Sequence, residues 1–171
     1  MSHPAPLVAI PVGVVVERRK AESAWIDHVW RPVAVLGGVP DAAPWTVLEG
    51  GDDCATFYAG SASVGLYRSD TAGYRDNLAS GAPALWVALR PTGVEPPYEV
   101  FAVTADPSEG EAMTETGSDM VEPVAMPDSI QETLAAFVAE HHVERAFFKR
   151  QRDRTDPDAM ARRGPRSEDD E

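Results

Sequence analysis

Cysteine is all but missing from this chain: Cys54 is the only one in 171 residues. A single thiol excludes an internal disulfide framework and every zinc or iron–sulfur site built from several cysteines. The glycine-rich signatures G-x-G-x-x-G and G-x-x-x-x-G-K-[ST] are also lacking, as is the G-x-S-x-G nucleophile elbow. Positive charge is scarce. Fifteen Lys and Arg stand against 28 Asp and Glu, a formal net charge of −13. A field of that sign repels phosphates, so neither nucleic acid nor an anionic membrane is expected as a partner. Long apolar runs are missing as well. The longest, residues 7–16, is broken by Pro11 and Gly13 and falls well short of the roughly 20 residues that span a bilayer. No Lys or Arg precedes it, whereas Glu17-Arg18-Arg19-Lys20 follows; a secretory signal has the opposite order. A buried strand and a cytoplasmic location are therefore expected.

What is present is ordinary globular material, 43% hydrophobic and 25% charged. Short runs rich in Val, Trp, Tyr, Phe and Leu recur between clusters of Gly, Pro and Asp, the pattern of a mainly β domain. The runs predict strands at 8–17, 29–36, 45–49, 54–60, 63–68, 84–90 and 98–105. Pro11 and Pro32 fall inside two of them, and a residue without an N–H is confined to an edge, a bulge or an unbonded position. About seven short strands with such interruptions favour a small barrel or sandwich. A short helix is expected near 70–79, capped by Asp70 and carrying Tyr74 and Leu78 on one face. A second is expected near 128–148, where Ile130, Leu134, Phe137, Val138 and His141 form one apolar stripe. Its start offers a capping box in Asp128 to Gln131 or Ser129 to Glu132. Residues 106–120 hold almost no large apolar side chains and read as a mobile loop. The fold class is thus mainly β (α+β), with one domain over 1–150 and a charged, flexible tail over 151–171.

Charge is unevenly placed. Residues 91–144 contain twelve acids and no Lys or Arg, while 145–166 carry eight basic residues and a local net charge of +5. Carboxylates in such numbers make a solvated surface; acid–base chemistry needs a rigid, partly desolvated pair. Of the four histidines, His141 and His142 are sequential and point about 100° apart on a helix, so one face cannot present both to an ion. His141 reads as a core-edge residue and His142 as solvated. Cys54, beside Asp52 and Asp53, reads as a small buried apolar residue. No metal, cofactor or catalytic residue is expected.

Two segments have the composition of recognition surfaces. The first contains Trp25, His28, Trp30 and Arg31 within eight residues; tryptophan and arginine dominate interface hot spots, although the reading favoured for these tryptophans is that they lock the first hairpin from its core or rim. The second contains Arg145, Phe147, Phe148, Lys149, Arg150 and Arg152, suited to an acidic, partly apolar partner. The same residues could instead end a helix, with cations opposing its dipole and pairing with the chain's own acids.

Four stretches carry a resemblance: residues 11–18, residues 30–36, residues 70–78 with 85–90, and residues 141–144 continued by 149–154. Together they resemble an uncharacterised bacterial family encoded beside formate dehydrogenase genes, some of whose members carry an automatic molybdopterin-guanine dinucleotide biosynthesis label. Ala34-Val35-Leu36-Gly37-Gly38 is similar to the strand-to-glycine opening of nucleotidyltransferases, but the continuation through Pro44 has no Lys, Arg or further Gly. The resemblance implies an accessory or assembly factor for a molybdenum-dependent formate dehydrogenase, acting by protein–protein binding to an enzyme subunit. A nucleotidyltransferase of cofactor biosynthesis and a small-molecule carrier lined by the tryptophan-rich hairpin are the alternatives.

Overall fold

The computed structural model describes residues 4–143. Val8–Lys20 (β1) lies between His28–Leu36 (β2) and Cys54–Leu66 (β4), and the short strand Thr46–Glu49 (β3) completes a four-stranded antiparallel sheet in the order β2-β1-β4-β3. Ala84–Pro91 (β5) is flanked by Tyr98–Thr104 (β6) and Met120–Ala125 (β7) in a second, three-stranded antiparallel sheet. The sheets pack with β4 against β6 and β2 against β7, and no ladder joins them, so the result is a sandwich and not a closed barrel.

Alternation along the strands builds the core. Val12, Val14 and Val16 of β1 are completely buried, and they belong to the same core as Leu85, Val87 and Leu89 of β5, which are equally buried. Each such side chain contributes about 1.5–3 kcal/mol by leaving water. The other face of β1 is covered too. A Cβ on Gly13 would come within 3.1 Å of both Pro40 and Tyr58, so glycine is what lets the β2–β3 loop lie on the strand.

Both strand prolines sit where the ladder spares them. Pro11 faces Ser63 of β4, while pairing to β2 begins only at Gly13. Pro32 lies on edge strand β2, and the register slips by one residue there, with Val15 opposite Ala34 and Val16 opposite Pro32. The two strands expected at 54–60 and 63–68 are one: β4 runs through a bulge at Gly60, whose φ of +144° suits glycine. The remaining strand is β7, which lies where no strand was expected.

The supposed loop at 106–120 is corrected as well. Pro107–Glu115 forms helix α2, capped by the Asp106 side chain accepting from the Ser108 N–H at 3.1 Å, with proline in its first turn. Its buried residue is Gly110, which lies against the Trp86 indole so closely that any Cβ would collide with it. A helix that docks through glycine needs no apolar stripe, which is why it reads as loop.

Thr71–Ala79 forms helix α1, preceded by a 3-10 turn at Arg68–Asp70. Asp70 is at the N-cap position but makes no capping bond; its carboxylate takes the Ser69 hydroxyl instead. Asp128–His141 forms helix α3 and buries Ile130, Leu134 and Phe137 as its stripe predicts. Its N-cap is Pro127, without a capping box, and Gln131 donates to the Met126 carbonyl at 2.9 Å. The helix stops at His141, where His142 takes an extended backbone conformation, short of the end expected near 148; residues 144–148 and the tail at 151–171 lie outside the described residues.

Asn77 ties α1 to the second sheet. Buried to 4% exposure, its amide donates to the carbonyls of Ala84 at 2.8 Å and Ala105 at 2.9 Å and accepts from the Ala84 N–H at 3.0 Å. Asn77→Ala strands buried backbone groups and is expected to cost about 3 kcal/mol. Asp76→Asn, one position along on the exposed face, is expected to stay within about 0.5 kcal/mol of the native chain. Denaturant melts measure both, and equal midpoints would contradict the clamp.

Burial holds the Asp106 carboxyl above its ordinary range, helped by Asp70 and Glu109 and opposed by the Ser108 N–H. A carboxyl raised by folding favours the folded state when protonated and opposes it when ionised. Its favourable contribution is therefore present at acid pH and lost as pH rises through the raised value. Asp106→Asn keeps a capping oxygen and is expected to be more stable than the native chain at neutral pH, with the gap closing in acid. A gap that widens in acid would refute this.

Candidate functional site

The β1–β2 hairpin separates the residues that the sequence groups together. Pairing sets Arg18 opposite Trp30 and Arg19 opposite Val29, so alternate residues take opposite faces. On one face Trp30 joins Trp45 at 5.7 Å and Phe57 at 5.8 Å between ring centroids. The Arg18 guanidinium lies 5.6 Å from the Trp30 ring and 5.2 Å from the Phe57 ring, within reach of the electrostatic attraction of an aromatic face. Trp45 completes this cluster from a left-handed backbone, φ +68°, with its N–H bonded to the Tyr58 carbonyl. A bulky residue in that region is strained and persists only where packing over-determines it.

On the other face Glu17 accepts from Arg19 and lies 3.5 Å from Arg31. The Arg19 hydrogen bond, with the charges of Arg19 and Arg31, holds the Glu17 carboxyl below its ordinary range against a smaller opposing effect of burial. Trp25 belongs to neither face. It projects from the connecting loop 94% exposed, beside Ile26 at 56%, and Val29 on the adjoining strand is 50% exposed. His28 is half-buried at the start of β2. Trp25 and Trp30 therefore do not line a common pocket; one is on the surface and the other at the edge of the core.

A second arrangement was not legible in advance. A cavity of about 950 Å³ opens between the start of α1 and the end of α3, lined by Arg68, Ser69, Thr71, Arg75, His141 and His142 among others. Tyr74 and Phe137 pack edge to face at 6.1 Å and set the two helices against each other. His141 stacks at 4.5 Å from Phe137, a core-edge position as expected. His142 is not the solvated residue expected: it is half-buried, with Nδ1 3.1 Å from the Thr71 hydroxyl. The same Thr71 hydroxyl lies 3.2 Å from the Arg68 carbonyl, to which it is a donor. Nε2 is buried and has no partner among the described residues.

Other expectations divide similarly. Cys54 is exposed, not buried, because it opens β4 on the face that carries Arg19. Gly37 lies against α3, where an added Cβ would come 2.6 Å from the Ser129 hydroxyl, whereas an added Cβ on Gly38 would meet nothing within 4 Å; only Gly37 is a packing position. No group of three or more His, Cys, Asp or Glu among the described residues is placed to hold a metal ion, and no helix among them is long and apolar enough to cross a membrane. Arg145, Phe147, Phe148, Lys149, Arg150 and Arg152 lie outside the described residues.

Residues 11–152 match the model of a family described as a protein of unknown function (DUF3305), and the chain belongs to that family. No curated protein and no solved structure matches the chain.

Of the four tryptophans, Trp30, Trp45 and Trp86 are half-buried. Trp25→Phe is accordingly expected to remove most of the acrylamide-quenchable fluorescence and to shift the remaining emission to the blue. Unchanged quenching would place Trp25 against the protein and not in solvent.

Proposed function

We propose that this member of the family is a non-catalytic accessory factor that acts by binding another protein. The observation that carries this reading is Trp25, almost wholly exposed at the tip of the β1–β2 hairpin with Ile26 and Val29 beside it. Isolated apolar side chains on a surface are unremarkable. A fully exposed tryptophan grouped with two aliphatic residues and bordered by Arg19 and Arg31 has the composition of an interface hot spot. The hairpin is also well braced for such a role. Arg18, Trp30, Phe57 and Trp45 interlock on one face and Glu17 holds two arginines on the other, so little ordering remains to oppose binding.

The resemblance to proteins encoded beside formate dehydrogenase genes supplies the candidate partner, a subunit of a molybdenum-dependent formate dehydrogenase awaiting assembly. The acidic body of the chain and its basic segment at 145–154 would give such a partner two surfaces of opposite sign to read.

Co-purification of the tagged full chain with formate dehydrogenase subunits tests the reading. Trp25→Ser combined with Ile26→Asn is expected to lower recovery of the subunit at least about tenfold. Charge reversal at Arg145, Lys149, Arg150 and Arg152 tests the second segment separately. Recovery unchanged by the hairpin variant would remove the hairpin from the interface, and no recovery with the native chain would end the assembly-factor reading.

A further inference from the structure

Helix α2 is a weak helix on a narrow seat. Gly110 stands in its interior, where glycine is unfavourable against alanine, and Glu111 and Glu115 set like charges four residues apart. Its last turn has no basic residue to oppose the helix dipole. Gly110 is its one buried residue; Pro107 and Met113 are half-buried on the same side and the rest of the helix is exposed.

What α2 covers is the outer face of the second sheet. Trp86 alternates with the core residues Leu85 and Val87 and so points away from the core, and any Cβ on Gly110 would collide with its indole. A polar stitch fastens the first turn: the Thr104 hydroxyl donates to the Glu109 carboxylate at 2.7 Å and accepts from the Asp106 N–H at 3.1 Å. Beyond the last turn, Gly117 has a φ of +69°. We infer that α2 is a flap hinged at Asp106 and Gly117, which opens without unfolding the sandwich, bares the Trp86 indole, and is released by ionisation of the carboxyl cluster at its base.

Asp106 is the centre of that cluster. Asp70, in the turn before α1, and Glu109, in the first turn of α2, both act on it, and with burial they hold its carboxyl above the ordinary range against the Ser108 N–H. Tyr74 of α1 faces the same three carboxyls as a neutral phenol. Arg75 and Asp76 of α1, Arg90 of β5, Glu99 of β6 and Glu122 of β7 are not among the charges that act on it. A carboxyl raised in the docked helix holds its proton more tightly there than in the open one. Docking is therefore favoured in acid and weakened as pH rises through the raised value. A neutral carboxyl still accepts from the Ser108 N–H through its carbonyl oxygen, so protonation keeps the cap. In the open form Asp106 and Glu109 move away from Asp70 and regain water.

Amide hydrogen exchange of the full chain between about pH 5 and about pH 8, corrected for intrinsic exchange rates, tests the flap. At neutral pH the amides of residues 110–115 are expected to be at least about tenfold less protected than those of β1 and β5. Their protection is expected to rise severalfold in acid. Asp106→Asn is expected to hold the acid level at every pH, whereas Glu132→Gln, on the exposed face of α3, leaves the pH dependence within about twofold. Gly110→Ala is expected to cost α2 at least about tenfold in protection while β1 stays protected. Amides of α2 that exchange no faster than those of β5 would overturn the flap. So would protection that falls in acid, a pH dependence that survives Asp106→Asn or is lost equally with Glu132→Gln, or α2 protection unchanged by Gly110→Ala.

Discussion

The placement of α1 governs both the cavity and the seat of α3, and α1 is held by one buried amide. Asn77 replaces with its side chain the backbone partners that Ala84 and Ala105 lose where β5 begins and β6 ends. The alternative for those buried groups is no hydrogen bond at all, so the side chain acts as a short piece of sheet. Around it the helix is fitted from other directions. The Tyr74 hydroxyl accepts from the Tyr67 N–H at 3.1 Å, and burial of that phenol pushes its ionisation well above the ordinary range. Gly73 allows the helix to approach Asp106, whose Oδ1 would be 2.6 Å from any added Cβ. With α1 fixed in this way, Tyr74 offers its ring to Phe137 and Thr71 its hydroxyl to His142. The cavity wall follows from the clamp.

The two sheets differ in length, and the difference bears on the other surface. Strands β1 and β4 each run for 13 residues, against eight for β5. Beyond the reach of the shorter sheet, the long strands cover their inner face with Trp30, Phe57 and Trp45 and with the Arg18 guanidinium. The connecting loop then has no apolar layer to turn into, and Trp25 and Ile26 remain in solvent. A hairpin stiff at its base and apolar at its tip is the outcome.

Much of this architecture was legible in residue patterns, and the exceptions have specific causes. The buried apolar run of β1, the stripe of α3 and the chemistry of Pro11 and Pro32 each depend on neighbours within one element, and each was read correctly. Helix α2 was missed because its docking residue is Gly110, invisible to any hydrophobic period. β7 was missed because the apolar pattern of Met120-Val121-Glu122-Pro123-Val124-Ala125 is short and interrupted by proline; it pairs with β5 all the same. β4 was divided because Gly60-Ser61-Ala62-Ser63 reads as a turn, whereas the bulge carries the strand through it. The cavity residues Arg68, Ser69, Thr71 and Arg75 carried a weak signal at most, the Asp70 helix start and a matching stretch of the family pattern. His142 was misjudged because its partner is 71 residues away.

By itself the sequence determined the class of the fold, the positions of most strands, the burial of β1, the inward face of α3, and the sign of the molecular field. Those properties follow from local periodicity and from sums over residues, which hold however the chain is folded. Only the tertiary structure decided which tryptophan faces water, that Asn77 is a fastener, and that basic side chains from α1 and α3 share one cavity. Burial and convergence depend on segments brought together across dozens of residues, and no local pattern encodes what the distant segment will supply.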